Sequence, residues 1–424
     1  MKSEATMPPR ILMFAPSCYP PGNPEAFVNA NLVQAMLSER WQVDVVTLAG
    51  AGQWYPGDAA GWPGVGERCV AVAEWEKSAA TLLAAAARTL LRSGHLVGGG
   101  RWALPAADEA RRLSATTEYD CIISRALPSM AHLAGLLSAR RTGLAWIANW
   151  NDPAPAEKFP PPYAGGRGKD ASLSFWKERF YNAVGREADW HTFPSERLRS
   201  YITDYLPKGS YRKSSVIPHI APDETARPAE KGRGGFTLLH AGSLLPPRSP
   251  EPFLKGVRLF RDQNGGMEEL SVVFVVDRPE DVRRAAKAQG VEDLVRIERS
   301  RPYSEMPPLL ATAEVLVIVE APVQEGIFLP SKFVDYVRTG RPILALSPEV
   351  GTIADVMGEH GGGIAVDGGS AEEVAAALQT LYRRYLDGEL DRLFGSRRLL
   401  GRYAEETVLE QYREIIGRIA KKGK

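Results

Sequence analysis

The chain has 424 residues, 44% apolar and 24% charged, with a formal net charge of +1. That is the profile of an ordinary soluble globular protein long enough for two or more domains, and it argues against nucleic-acid binding through a global electrostatic field. The cysteines, Cys18, Cys69 and Cys121, are widely spaced and form no CxxC pair, which speaks against a disulfide framework or zinc site and for a reducing compartment. The polar N-terminus lacks the apolar core of a signal peptide. The most apolar run, Ala79 to Leu91, is too short for a bilayer span, which takes roughly 20 residues. The expected location is the cytoplasm, free or peripheral at the inner face of the plasma membrane.

In chain order, Ile11 to Ala15 reads as a buried strand, and residues 16–24 as a loop of turn formers. Phe27 to Arg40 is an amphipathic helix and Val43 to Leu48 the next strand. The loop lacks GxGxxG, but Gly22 and Asn23 are places where backbone can approach a ligand. Residues 50–118 are less regular and carry Trp54, Trp62, Trp75 and Trp102. A helix near 78–93 has Arg88 and Arg92 one turn apart. It reads either as a core-facing helix with a basic edge or as a membrane-surface helix beside a lipid acceptor.

Alternation then resumes. Strands are expected at 121–124, 144–148, 190–193 and 214–218, and helices at 128–140, 172–186 and 195–203. Strand 144–148 runs into a polar cluster, Asn149-Trp-Asn-Asp-Pro153, and the Pro/Gly-rich segment 153–170 reads as a flexible lid. Ala221 to Gly235 has linker composition. The pattern restarts with strands at 236–241, 271–276, 294–298, 315–319, 343–346 and 363–366, interleaved with helices. The division is therefore 1–220, a linker at 221–235, 236–400, and a C-terminal helix in 401–424 packing back on the first domain. The fold class is α/β, with two doubly wound, Rossmann-like parallel sheets.

The densest stretch is Glu325 to Leu346, a loop, helix and strand following Val315 to Val319. In such sheets ligands bind beyond the carboxyl ends of the strands, with anions at the next helix N-terminus. Loop 320–331, with Glu320, Glu325, Ser331 and Lys332 in or beside it, sits at that end. Spacing alone leaves an ordinary crossover with a solvated loop equally open.

Five segments, in this order, carry a resemblance over nearly the full length. They are Ile147 to Pro153, Asp189 to Ser195, Val216 to His219, His240-Ala-Gly-Ser-Leu-Leu-Pro-Pro-Arg248, and Pro330 to Ile343. Together with the Gly-containing loop after the first strand they resemble the GT-B glycosyltransferases, specifically the large retaining group-1 family that includes polysaccharide, lipopolysaccharide and phosphatidylinositol sugar transferases. The resemblance implies two domains facing across a cleft. A nucleotide-sugar donor would sit on the second and a glycan, lipid-linked or small-molecule acceptor on the first.

The same resemblance implies the parts of the site. The diphosphate leaving group gains charge in the transition state, and the chain has no Asp-x-Asp and no histidines at metal-ligand spacing. Cationic side chains and backbone N–H groups must then stabilise it, with no metal and no separate cofactor. In the phosphate loop, with Gly242, the family's Arg position falls at Ser243 and its Lys position at Arg248. Lys332 is placed to supply the missing charge. The family's second glutamate, which grips the ribose, corresponds to Asp335. The first falls at Ile327, so Glu325 is the expected substitute, and Gly326 and Leu329, Pro330, Ser331 and Lys332 would present backbone amides to the diphosphate. The base is expected near Arg301 and Tyr303, the latter either stacking or core. His240 and His219 face the site or are structural. Asp152 would orient or deprotonate the acceptor hydroxyl, unless it merely caps a turn. Two rival readings remain: a nucleotide-sugar 2-epimerase on the same architecture, and a catalytically degenerate GT-B subunit that binds or scaffolds.

Overall fold

The computed structural model describes residues 7–50, 61–221, 235–265 and 269–420. Trp54 and residues 222–234 of the expected linker lie outside them. The chain forms two compact units. The first comprises the chain up to His219 together with Glu405 onward, and the second is Ile220–Ala404.

The first unit is built on a seven-stranded sheet, β1 (Arg10–Phe14), β2 (Gln42–Leu48), β3 (Cys69–Val72), β4 (Cys121–Ala126), β5 (Ala145–Trp150), β6 (Trp190–Phe193) and β7 (Ser214–Val216), in spatial order β3-β2-β1-β4-β5-β6-β7. All its pairings are parallel. Strands covered on both faces read as continuous apolar runs, as Ile11 to Phe14 and Cys121 to Ile123 do. The order reverses between β1 and β4, where the chain leaves one side of the sheet for the other. The C-terminal helix Glu405–Ala420 buries Val408, Leu409, Tyr412, Ile415, Ile416 and Ile419. Arg413 on it pairs with Glu39 at 2.7 Å, and Arg418 lies 5.0 Å over the Trp190 ring.

The second unit has six parallel strands, β8 (Phe236–Ala241), β9 (Leu270–Val276), β10 (Val295–Arg299), β11 (Val315–Val319), β12 (Ile343–Ser347) and β13 (Gly363–Asp367), in order β10-β9-β8-β11-β12-β13. One core packs Phe236, Phe253, Phe260, Phe274 and Leu381 against the sheet, and a second packs Phe333, Val337, Ile353 and Tyr403. β8 and β9 are in register from Phe236 to Ala241, but β8 and β11 pair only at Leu238 and Leu239. Beyond that point side chains hold the two strands. His240 Nδ1 lies 2.9 Å from the Val317 carbonyl, and the Ala241 N–H donates to the Tyr336 hydroxyl at 2.8 Å. The strand order of this sheet reverses between β8 and β11.

Four parts of the structure differ from the sequence reading. β3 and the helix Gly100–Ser114 lie in the stretch read as irregular; a short strand and an internal Pro105 hide both from periodicity. In helix Ala79–Ser93 the small residues Ala85, Thr89 and Ser93 are buried while Leu82, Leu83, Leu90 and Leu91 are exposed, so its leucines do not face the core. Segment 153–170 is not a free lid. The Tyr201 hydroxyl donates to the Lys158 carbonyl at 2.9 Å, and Lys158 lies 4.8 Å over the Tyr205 ring. Its backbone also folds on itself, with the Gly168 N–H donating to the Phe159 carbonyl.

Candidate functional site

In the second unit the switch point gathers cations. Gly242 follows β8 with φ +108°, a backbone that L side chains rarely adopt. A Cβ there would meet Lys332 Nζ at 2.9 Å. Lys332 is the second residue of helix Ser331–Thr339, whose N-terminus has no side-chain cap. Its Nζ is buried and has no hydrogen-bond partner. Burial first, and then the Arg248 charge, push its pKa down to about 7, against the opposing pull of Asp277 and Asp335. Arg248 is half-buried and makes no ion pair among the described residues. Two basic side chains that make no ion pair among the described residues, beside an uncapped helix N-terminus, are suited to bind an anion.

Acids ring it. Glu320 at the end of β11 accepts from Ser347 Oγ at 2.6 Å, and burial raises its pKa to about 7 despite Arg248. Asp335 accepts from the Tyr303 hydroxyl, and burial raises its pKa to about 6. Tyr303 is therefore tied to the carboxylate expected to grip a ribose. His240 is fully buried, and burial followed by Lys332 keeps it neutral. It lies between the Val317 and Gly242 carbonyls, so its single N–H serves one of them, and it braces the loop.

Several expected ligand contacts are not available. The Gly326 N–H donates to Val350 at 2.9 Å, Pro330 has no N–H, and Leu329 is in the apolar core. Ser331 and Lys332 alone of that group begin the helix. Arg301 is exposed and ion-paired with Glu298. Ser243 donates to Asp277 at 3.0 Å, which brings a carboxylate where the family has a cation. Ile327 is wholly buried, so the backbone aims that position into the core, whereas Glu325 two residues earlier is half-buried.

The first unit has its own polar cluster at its switch point. Glu25, in the first turn of helix Pro24–Ser38, accepts from Asn151 at 2.8 Å and Asn29 at 3.2 Å through Oε1. Burial raises its pKa to about 7, opposed by Arg125 and assisted by Asp152. Arg125 is 3% exposed and donates to Asn29 and, at 3.3 Å, to the Tyr412 hydroxyl. Asn149 Oδ1 and Asn151 Oδ1 are buried without partners. Asp152 thus stands beside a second carboxylate, Glu25, that motif reading missed. A charged residue inside the buried run Cys121 to Ala126 was the available signal for Arg125. Asn23 has a structural role, since its side chain caps the helix by accepting from the Ala26 N–H at 2.9 Å. Gly22 and His219 are both buried.

Residues 235–384, the span that holds Arg248 and Lys332, match the family described as Glycosyl transferases group 1. The D-inositol 3-phosphate glycosyltransferase of Thermomonospora curvata is 25% identical over 188 residues, covering 42% of this chain and 42% of that protein. The match thus spans less than half the length of that relative. HepE of Anabaena in complex with UDP is similar over 96% of this chain and 100% of its own, with a TM-score of 0.67 at 14% identity. A Listeria monocytogenes structure described as a candidate UDP-N-acetylglucosamine 2-epimerase is similar over 96% of both chains, with a TM-score of 0.57 at 13% identity. At such identities these likenesses fix the GT-B fold and leave the reaction to the site. Among the described residues no helix is long and apolar enough to cross a membrane.

Proposed function

We propose that the chain transfers a sugar from a nucleoside diphosphate donor to an acceptor hydroxyl, with retention and without a metal. The observation that carries this is the pair Arg248 and Lys332 in the span matched by the group 1 family, two basic side chains that make no ion pair among the described residues, beside the Gly242 turn. A diphosphate supplies the missing negative charge, and its charge grows as the glycosidic bond breaks, so the pair acts most strongly in the transition state. Asp335, held by Tyr303, accepts the ribose hydroxyls. HepE, of the same fold, was solved with UDP, which supports a uridine nucleotide as the first donor to test.

On the first unit, Glu25, Asn151 and Asp152 supply acceptors for the hydroxyls of the incoming substrate. The buried, unpartnered Asn151 Oδ1 favours a ligand that donates there. For a retaining transfer the departing phosphate takes the acceptor proton, so these groups orient the hydroxyl. The likeness to a 2-epimerase structure keeps that reading as the alternative. Product analysis of UDP-sugars, with and without added sugar and lipid-linked acceptors, separates the cases. Glycosylated product, or slow sugar release without acceptor, supports transfer. A C2 epimer formed without acceptor supports the alternative. Binding of UDP with no turnover of any donor supports a degenerate subunit.

A further inference from the structure

The first unit contains a cavity of about 460 Å³ that none of the transfer chemistry uses. Helices Ala79–Ser93, Met130–Thr142 and Phe175–Glu187 contribute its walls. Arg92, Arg140, Arg179 and Arg186 line it, and the acid among its lining residues is Glu187. Arg140 is committed to Glu187, at 2.6 and 2.7 Å, and to the Ser93 carbonyl at 2.6 Å. Arg92 reaches Asp108 at 3.1 Å. Arg179 and Arg186 make no side-chain ion pair among the described residues.

His95 is the second, independent observation. It lines the same cavity, is 4% exposed, and both its ring nitrogens are buried without a hydrogen-bond partner. Buried polar atoms are almost always satisfied, so an orphaned imidazole calls for a missing partner. Burial lowers the pKa of His95, the charges of Arg140, Arg179 and Arg186 lower it further, and Glu187 opposes them. A neutral imidazole N–H without an acceptor, among guanidiniums in excess, fits one chemistry: an anion with several oxygens.

We propose that this cavity binds a phosphoryl group, held by Arg179 and Arg186 and contacted by His95. Phosphoryl oxygens accept from the imidazole N–H and from planar guanidiniums together, which one carboxylate, Glu187, cannot do alone. Leu91 also lines the cavity and is 84% exposed, and Leu83 on the same helix is 73% exposed. The phosphoryl group therefore comes either from a lipid headgroup, whose bilayer meets these leucines, or from a soluble phosphate ester. The site is distinct from the donor site and independent of the proposed transfer.

The test tracks the His95 ring resonances of the full chain by NMR. Inorganic phosphate shifts them saturably and raises the midpoint of their titration, since a bound anion favours the imidazolium. The double variant Arg179→Ser, Arg186→Ser weakens that response by about tenfold or more. Vesicles of phosphatidylglycerol in phosphatidylcholine are the second probe, with pure phosphatidylcholine as reference. Recruitment to the anionic vesicles, lost in Leu83→Ser, Leu91→Ser while the phosphate response stays, assigns the headgroup. A phosphate response without recruitment assigns a soluble ester. The proposal is overturned if neither probe moves His95, or if the double arginine variant responds as the unaltered chain does.

Discussion

Lys332→Met is expected to stabilise the ligand-free protein while removing its affinity for diphosphate. Burial and Arg248 push the Lys332 pKa from 10.5 to about 7. At about 1.4 kcal/mol per unit, the shift corresponds to at most ~5 kcal/mol against the charged form. Relaxation and water entry reduce this, so the expected gain is about 2–3 kcal/mol. The sign is fixed by linkage. The unfolded chain binds this proton more tightly than the folded one, so the cost is absent above about pH 10.5 and grows as pH falls. It is complete below about pH 7. A gain of that size raises the melting transition of a domain near 200 residues by about 4–12 °C at neutral pH, and the difference shrinks as pH rises toward 10. UDP affinity, measured by calorimetry, falls about 10- to 100-fold for the loss of one charged partner. UDP protection in a thermal shift falls with it. Equal or lower melting temperature together with intact UDP binding would refute the reasoning.

Other substitutions probe neighbouring steps. Gly242→Ala places a Cβ 2.9 Å from Lys332 Nζ at φ +108°, so it costs about 1–3 kcal/mol in urea unfolding and weakens UDP binding. Ile327→Glu, which writes the family's glutamate into this chain, inserts a carboxylate into a fully buried position and destabilises by more than ~4 kcal/mol. A gain of activity without that loss would contradict the geometry. Glu25→Gln leaves stability unchanged at pH 4 and raises it by about 1–3 kcal/mol at pH 8. The reason is that burial lifts the Glu25 pKa from 4.5 to about 7, and the cost of its charge is complete only above that value. The same variant raises the KM for acceptor with little change in donor binding.

The strands were legible because both sheets are parallel and covered on two faces, so Val315 to Val319 and Ile343 to Leu346 stand out as unbroken apolar runs. β3, four residues at a sheet edge, carries no such signal. The places of Arg248, Lys332 and Asp335 on a loop, a helix start and a helix face were legible because these features are local in sequence. Ser243 facing Asp277 was not, since that contact joins two strand ends 34 residues apart. Glu25 reads locally as an ordinary acid in a helix's first turn. Only the fold, by bringing Asn151 onto it from 126 residues away, buries it and raises its pKa. That Ile327 points into the core was not legible, because which way a loop residue points depends on the bridge between Gly326 and Gly351.

The most direct test of the account is Arg248→Ala assayed for nucleoside diphosphate release from UDP-glucose and other nucleotide sugars. The cation pair is expected to act on the departing diphosphate. The variant should therefore lose about 100-fold or more in turnover while donor binding, measured separately, falls by much less. Turnover and binding falling by the same factor, or turnover unchanged, would contradict a role in the transition state.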